Sequence, residues 1–194
     1  RRYGGRGPRY TSYPTAVQFH EFDEAQYKRQ CVLSNERNDG PLSLYLHIPF
    51  CTTLCYYCGC NKVVTRNRDR ATEYLGHLFR EVELQSALFD DDRLVEQLHL
   101  GGGTPTYLSE EQLSSVMAKL GEHFRLRGDG QQEFSIEIDP RSIQPGMVAA
   151  LAGMGFNRLS MGVQDFDPEV QKAVNRIQPP EETLPLIQQA RDAG

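Results

Sequence analysis

Four times along the chain, a stretch in which apolar and polar residues alternate gives way to one with apolar residues three and four apart. Leu42–Ile48 (LSLYLHI) alternates, is β-prone, and is stopped by Pro49. Residues 68–89 then carry Ala71, Tyr74, Leu75, Leu78, Val82 and Leu88 at helical spacing. Residues 94–100 read as a second strand running into Gly101-Gly102-Gly103. Ser109-Glu110-Glu111-Gln112 opens a helix to about residue 123 with a capping box. Glu133–Ile138 is a third strand ending at Asp139-Pro140, followed by a helix over 145–154. A fourth strand over 157–163 precedes helical stretches at 168–174 and 181–190.

Strand and helix alternating at roughly thirty-residue spacing predict parallel strands joined by right-handed crossovers, so the fold class is α/β with about four βα units. Doubly wound and barrel-like arrangements both remain open at this point. In either, the loops after the strands gather at one edge, where α/β proteins bind ligands. The first forty residues, rich in Arg, Tyr, Gly and Pro with a helical stretch near 23–33, read as an extension lying on the domain and covering its substrate or cofactor. The turn Asn38-Asp39-Gly40-Pro41 separates it from the α/β part, giving a division into 1–40 and 41–194.

Composition changes this picture only a little. With 39% hydrophobic and 24% charged residues, 194 residues suffice for one packed domain, and disorder is not indicated. A net charge of -5 argues against a nucleic-acid binder. Arg1, Arg2, Arg6 and Arg9 make the first twenty residues locally cationic, suited either to solvent or to an anionic ligand. Neither a long apolar run nor an export leader is present, so a cytoplasmic protein without membrane partners is expected. The chain opens on Arg1 and stops at Gly194 in what reads as an unfinished helix, so a fragment of a longer protein is expected.

Four of the five cysteines fall within residues 51–60, and only Cys31 lies apart. An odd count and tight clustering speak for a metal or cluster site rather than disulfides. Cys51, Cys55 and Cys58 are spaced C-x3-C-x2-C in the loop after the first strand. Three thiolates so close can share one iron-sulfur cubane, whose fourth iron then has a coordination position open to a small molecule. Cys60 is two residues from Cys58 and, in an extended segment, would point to the opposite side, which argues against it as a fourth ligand. A zinc knuckle or a ferredoxin-like site is the plainer alternative. Zinc sites want a second Cys or His pair, however, and His77, His99 and His123 offer none.

The C-x3-C-x2-C loop with Tyr57 before its last cysteine resembles the radical S-adenosylmethionine superfamily, and the resemblance runs over nearly the whole chain. It implies a partial (β/α) barrel, a [4Fe-4S] cluster on Cys51, Cys55 and Cys58, and S-adenosyl-L-methionine on the open iron. Gly101-Gly102-Gly103-Thr104-Pro105 resembles the glycine motif of that family, where bare backbone lets the methionine amino group approach, so Gly102, Gly103 and Thr104 are implied contacts. Glu137 resembles a ribose-binding carboxylate. Gln164 and Arg176 resemble further cofactor contacts, Arg176 being suited to a carboxylate.

Within the superfamily, YLHIPFCTTLCYYCGCNK, the leader PRYTSYPTAVQF, LHLGGGTPTYL and RLSMGVQDF are similar to the oxygen-independent coproporphyrinogen III oxidases. Haem chaperones share HIPFC and GGGTP but typically lack the second cysteine of CGC and the leader. The implied reaction is oxidative decarboxylation of two propionates of coproporphyrinogen III to vinyl groups. It would need a low-potential electron donor such as flavodoxin or ferredoxin, and a monomer is expected. Tyr45 and Cys60 are expected near cofactor and substrate without ligating iron. The family's barrel implies two further strands and a substrate-covering domain beyond residue 194.

Overall fold

The computed structural model describes residues 16–37 and 40–194. Arg1, Arg2, Arg6 and Arg9, the leader up to residue 15, and the first half of the turn at 38–41 lie outside the described residues. The chain divides into two compact units at residues 38 and 39. In the first, a short 3-10 turn at Ala16–Gln18 precedes helix α1 (Glu24–Arg37). Asp23 caps α1, its carboxylate accepting from Gln26 N at 2.8 Å while the Gln26 side chain accepts from Asp23 N at 2.9 Å. The helix runs four residues further than the expected stretch.

In the second unit the order is β1 (Leu42–Ile48), β2 (Phe50–Cys51), β3 (Val63–Val64), α2 (Asp69–Ser86), β4 (Leu94–Gly102), α3 (Glu110–His123), β5 (Arg125–Leu126), β6 (Glu133–Ile138), α4 (Met147–Gly153), β7 (Arg158–Met161), α5 (Pro168–Ala173) and α6 (Pro180–Asp192). The main sheet is parallel, in the order β1-β4-β6-β7, with β5 beside the start of β4. The four βα units are as the pattern predicts. The two-residue strands β2, β3 and β5 are too short to leave a periodicity, and the fourth strand is trimmed to Arg158–Met161. Strand β4 runs two residues past Leu100, through the first two glycines of the triplet.

The two faces of this sheet differ. Leu46, Ile48, Leu98, Leu100, Phe134, Ile136 and Ile138 form one buried core with Leu75, Leu78 and Val82 of α2, Leu113, Val116 and Leu120 of α3, and Val148 and Leu151 of α4. Fully burying such a side chain contributes about 1.5–3 kcal/mol. The opposite face carries Ser43, Tyr45, Gln97, Glu133, Arg158 and Ser160, all exposed. Register puts Tyr45 opposite His99, His99 opposite Ser135, and Glu137 opposite Ser160, so polar residues line up in rows. A doubly wound sheet is covered on both faces and reads as nearly continuous apolar runs. Helices on one face and a polar hollow of about 340 Å³ on the other match the wall of a partial (β/α) barrel instead.

The capping box at α3 forms. Ser109 Oγ accepts from Gln112 N at 3.2 Å, and the Gln112 side chain accepts from Ser109 N at 3.1 Å. Ser109→Ala is therefore expected to cost about 1 kcal/mol, read as a lower urea midpoint with an unchanged slope.

Candidate active site

Cysteine loop and glycine strip meet at the carboxyl ends of the strands. Cys51 ends β2, and β3 returns beside it, with Val63 N donating to Pro49 O at 2.7 Å and Thr65 N to Cys51 O at 2.9 Å. Cys55, Cys58 and Cys60 lie in the loop that these two short strands close. From the far end of the chain, Asn175 at φ +53 donates from its side chain to Leu54 O at 2.7 Å, and Val174 O accepts from Tyr56 N at 3.0 Å. Asn tolerates the left-handed conformation better than most residues, which turns its amide toward the loop. Lys62 Nζ donates to Cys58 O at 2.9 Å. All five cysteines are free thiols.

The glycine strip is pressed against this loop. Gly103 N donates to Ile48 O at 2.9 Å and Thr104 N to Phe50 O at 2.8 Å, while Thr104 Oγ1 reaches Cys51 Sγ at 3.7 Å. Gly102, at φ +119, donates its N–H to Glu137 Oε2 at 3.1 Å. Glu137 Oε1 lies 3.7 Å from His99 Nε2. One hydrogen bond thus ties the last residue of β4 to the carboxylate near the end of β6.

These elements enclose a cavity of about 270 Å³. Cys51, Cys55, Tyr57, Cys58, Cys60, Gly102, Gly103, Thr104, Glu137, Gln164 and Arg176 all line it, so the structure gathers every sequence-predicted site residue but one. Tyr45 is the exception. It lines the adjoining polar hollow, stacked on His99 at 5.7 Å between ring centroids, with its hydroxyl 3.0 Å from His47 Nδ1. The expectation that Cys60 points away from Cys58 is corrected: the segment turns rather than extends, and both thiols face the cavity.

Charge is distributed unevenly around the thiols. Arg141 grips Asp139 through Nε and Nη2 at 2.9 and 2.6 Å and also reaches Cys55 Sγ at 3.5 Å. Arg176 approaches the same sulfur at 3.8 Å and donates to Gly162 O at 3.0 Å. Burial pushes the Cys51 thiol up, only partly offset by the Thr104 hydroxyl. Burial also opposes ionisation of Cys58, yet hydrogen bonds from Cys60 and the Lys62 ammonium bring that thiol below its usual range. For Asp139, burial is outweighed by Arg141 and Arg176, which hold its carboxyl low.

Sequence reading passed over His47, Lys62, Asp139, Arg141 and Asn175. His47 Nε2 lies 2.8 Å from Asn61 O, and a carbonyl only accepts, so Nε2 carries the proton and Nδ1 accepts from the Tyr45 hydroxyl. Position at the carboxyl end of β6 was the one signal available for Asp139 and Arg141.

The donor set fits a cluster rather than a lone ion. Among the described residues no three His, Cys, Asp or Glu side chains converge as a single metal ion requires, whereas a tetrahedral zinc would hold its sulfurs within about 4 Å of one another. Soft thiols spread along one cavity wall, at Cys51, Cys55, Cys58 and Cys60, suit a wider iron-sulfur group.

The Radical SAM superfamily profile matches residues 45–194. An oxygen-independent coproporphyrinogen III oxidase of Pseudomonas aeruginosa is 53% identical over 98% of this chain and 42% of its own length. The enzyme of the same name from Escherichia coli is 50% identical over 100% of this chain and 41% of its own. The solved structure of the Escherichia coli coproporphyrinogen III oxidase, described as a radical SAM enzyme, superposes with a TM-score of 0.88 at 49% identity, covering 96% of this chain and 42% of that one. The chain thus spans about two fifths of the length of these relatives. With a parallel sheet covered on one face, three thiols in one loop, and a profile match over most of its residues, the chain belongs to the Radical SAM superfamily.

Proposed function

We propose that this chain serves the oxygen-independent oxidative decarboxylation of coproporphyrinogen III to protoporphyrinogen IX, as its relatives' name suggests. The observation that carries this reading is the convergence of loops after four successive strands on one cavity, with the thiols of Cys51, Cys55, Cys58 and Cys60 on its wall. Cys51, Cys55 and Cys58 would hold a [4Fe-4S] cluster. When bound, cluster and S-adenosyl-L-methionine together supply one-electron cleavage of a carbon–sulfur bond, the source of a hydrogen-abstracting 5'-deoxyadenosyl group.

The chain's own residues bind and orient. Gly102 and Gly103 offer main chain without side chains, so a ligand's amino group can come close to Thr104 and the loop. Glu137, already fixed by Gly102 N, presents a carboxylate to ribose hydroxyls. Arg176 offers a guanidinium to a carboxylate, and Gln164, whose amide would lie 3.3 Å from a Cβ at Gly162, flanks it. Tyr57, half exposed at the loop, closes one side against water. Cys60 faces the cavity without being needed as an iron ligand, and Tyr45 presents its ring to the polar hollow, where a substrate could extend. The extension 1–40 would serve as a substrate- or cofactor-covering leader, its arginines matching the substrate's carboxylates. A low-potential flavodoxin or ferredoxin is the implied electron source, and a cytoplasmic monomer the implied setting. No helix among the described residues is long and apolar enough to cross a membrane.

The test is anaerobic reconstitution with iron and sulfide, then reduction in the presence of S-adenosyl-L-methionine and coproporphyrinogen III. 5'-Deoxyadenosine and a divinyl product are expected together. Haem binding with neither product would replace this reading with that of a haem chaperone.

A further inference from the structure

Asp139 and Arg141, in the loop after β6, form an ion pair whose side chains are only 11% and 18% exposed. A buried pair of this kind contributes little net stability, because desolvation of the two charges offsets their attraction. Its placement is more telling. The guanidinium is forked onto the carboxylate, and its Nη2 also lies 3.5 Å from Cys55 Sγ. Arg176, with a side chain 12% exposed, brings a second guanidinium to within 3.8 Å of that sulfur and 3.7 Å of Asp139 Oδ1. Cys51 has only the neutral Thr104 hydroxyl, and Cys58 has a single nearby cation, Lys62, which also donates to the Cys58 carbonyl. Of the three thiols, Cys55 alone accepts from two cations, and only one carboxylate balances them.

One-electron reduction adds negative charge to a cluster. A buried cation, and N–H groups aimed at a ligating sulfur, stabilise the reduced form more than the oxidised one. We propose that Arg141, held in place by Asp139, is a positioning residue that raises the reduction potential of a cluster ligated by Cys55, easing electron entry. This rests on the reading of Cys51, Cys55 and Cys58 as ligands of a four-iron cluster. Asp139 works in the opposite direction electrostatically while fixing the fork, so the two residues have separable signatures.

The full chain, reconstituted anaerobically, is titrated with dithionite and mediators while electron paramagnetic resonance follows the reduced cluster. In Arg141→Gln the ratio of reduced to oxidised cluster at a fixed potential is expected to fall about tenfold, equivalent to about 59 mV for a one-electron couple, with iron content unchanged. Arg141→Lys keeps the charge but loses the fork and should fall between Gln and the parent. Asp139→Asn keeps an acceptor oxygen, removes the negative charge, and should move the potential the other way. A full complement of iron in Arg141→Gln with an unmoved potential overturns the inference alone, as does a shift of the same sign in the Arg141→Gln and Asp139→Asn variants. If the parent chain takes up no four-iron cluster, the ligand assignment fails first and takes the inference with it.

Discussion

Serine in place of Cys55 is expected to cut the iron retained after anaerobic reconstitution by about tenfold or more, since losing a group that merely hydrogen-bonds a metal ligand already costs about 10–100-fold in affinity. The reason is chemical as well as geometric. A serine oxygen is harder and far less acidic than a thiol, so at neutral pH it offers iron a neutral hydroxyl where a thiolate stood. Cys55 is also the most buried thiol of the loop, at 9% exposed, and its sulfur is the acceptor for Arg141 and Arg176. Removing it leaves two guanidiniums facing a weaker acceptor. Cys51→Ser and Cys58→Ser are expected to lose iron to a similar degree, because a three-anchor site reduced to two no longer closes around its cluster. Cys60→Ser should retain parent iron content and the absorption of a four-iron cluster. That contrast is the measurement that decides the ligand set, since Cys60 faces the same cavity as the other three and proximity alone does not exclude it. Iron lost equally in all four variants would make Cys60 a ligand and remove the open coordination position.

Much of the fold is written in the alternation. LSLYLHI and EFSIEI put apolar residues on one face and Ser, Tyr, His or Glu on the other, whereas LVEQLHL keeps this parity only from Gln97 onward, because the β1–β4 register shifts between Leu42 and Ser43 and Val95 is buried. The choice between a barrel wall and a doubly wound sheet came only with the structure, in which the polar row lies on the face without helices. Cysteine spacing and glycine triplet were equally legible, both being local. What local pattern does not carry is partnership across the chain. Arg141 and Cys55 are 86 residues apart, and Asn175 and Leu54 are 121 apart. Only the gathering of strand ends at one edge brings them together. The turn that lets Cys58 and Cys60 face one cavity depends on Lys62 and on the β2–β3 closure, neither of which has a sequence period.

Gly103→Ala is expected to destabilise the chain by about 2–4 kcal/mol and to impair cluster uptake as well. Gly103 needs no left-handed conformation, so the effect is one of space. A Cβ there would lie 2.7 Å from Phe50 O, 2.8 Å from Pro49 O and 2.9 Å from Cys51 Sγ. Two of these are backbone atoms with no rotamer to retreat into, and both belong to the segment that launches the cysteine loop. To make room, the strip must lift from that segment, which loosens the hydrogen bonds Gly103 N to Ile48 O and Thr104 N to Phe50 O. Each is worth about 1 kcal/mol, in addition to the overpacking itself. Cys51 would be displaced in the same movement. Gly101→Ala provides the comparison, for its Cβ would meet His99 Nε2 at 2.9 Å and Tyr45 Cε2 at 3.0 Å, side-chain atoms that can swing into the open polar hollow. A urea denaturation series with iron analysis should therefore rank Gly103→Ala well below Gly101→Ala on both measures. Equal losses would mean that the glycine strip is not held against the cysteine loop by close main-chain contact, and that the third glycine serves some purpose other than approach.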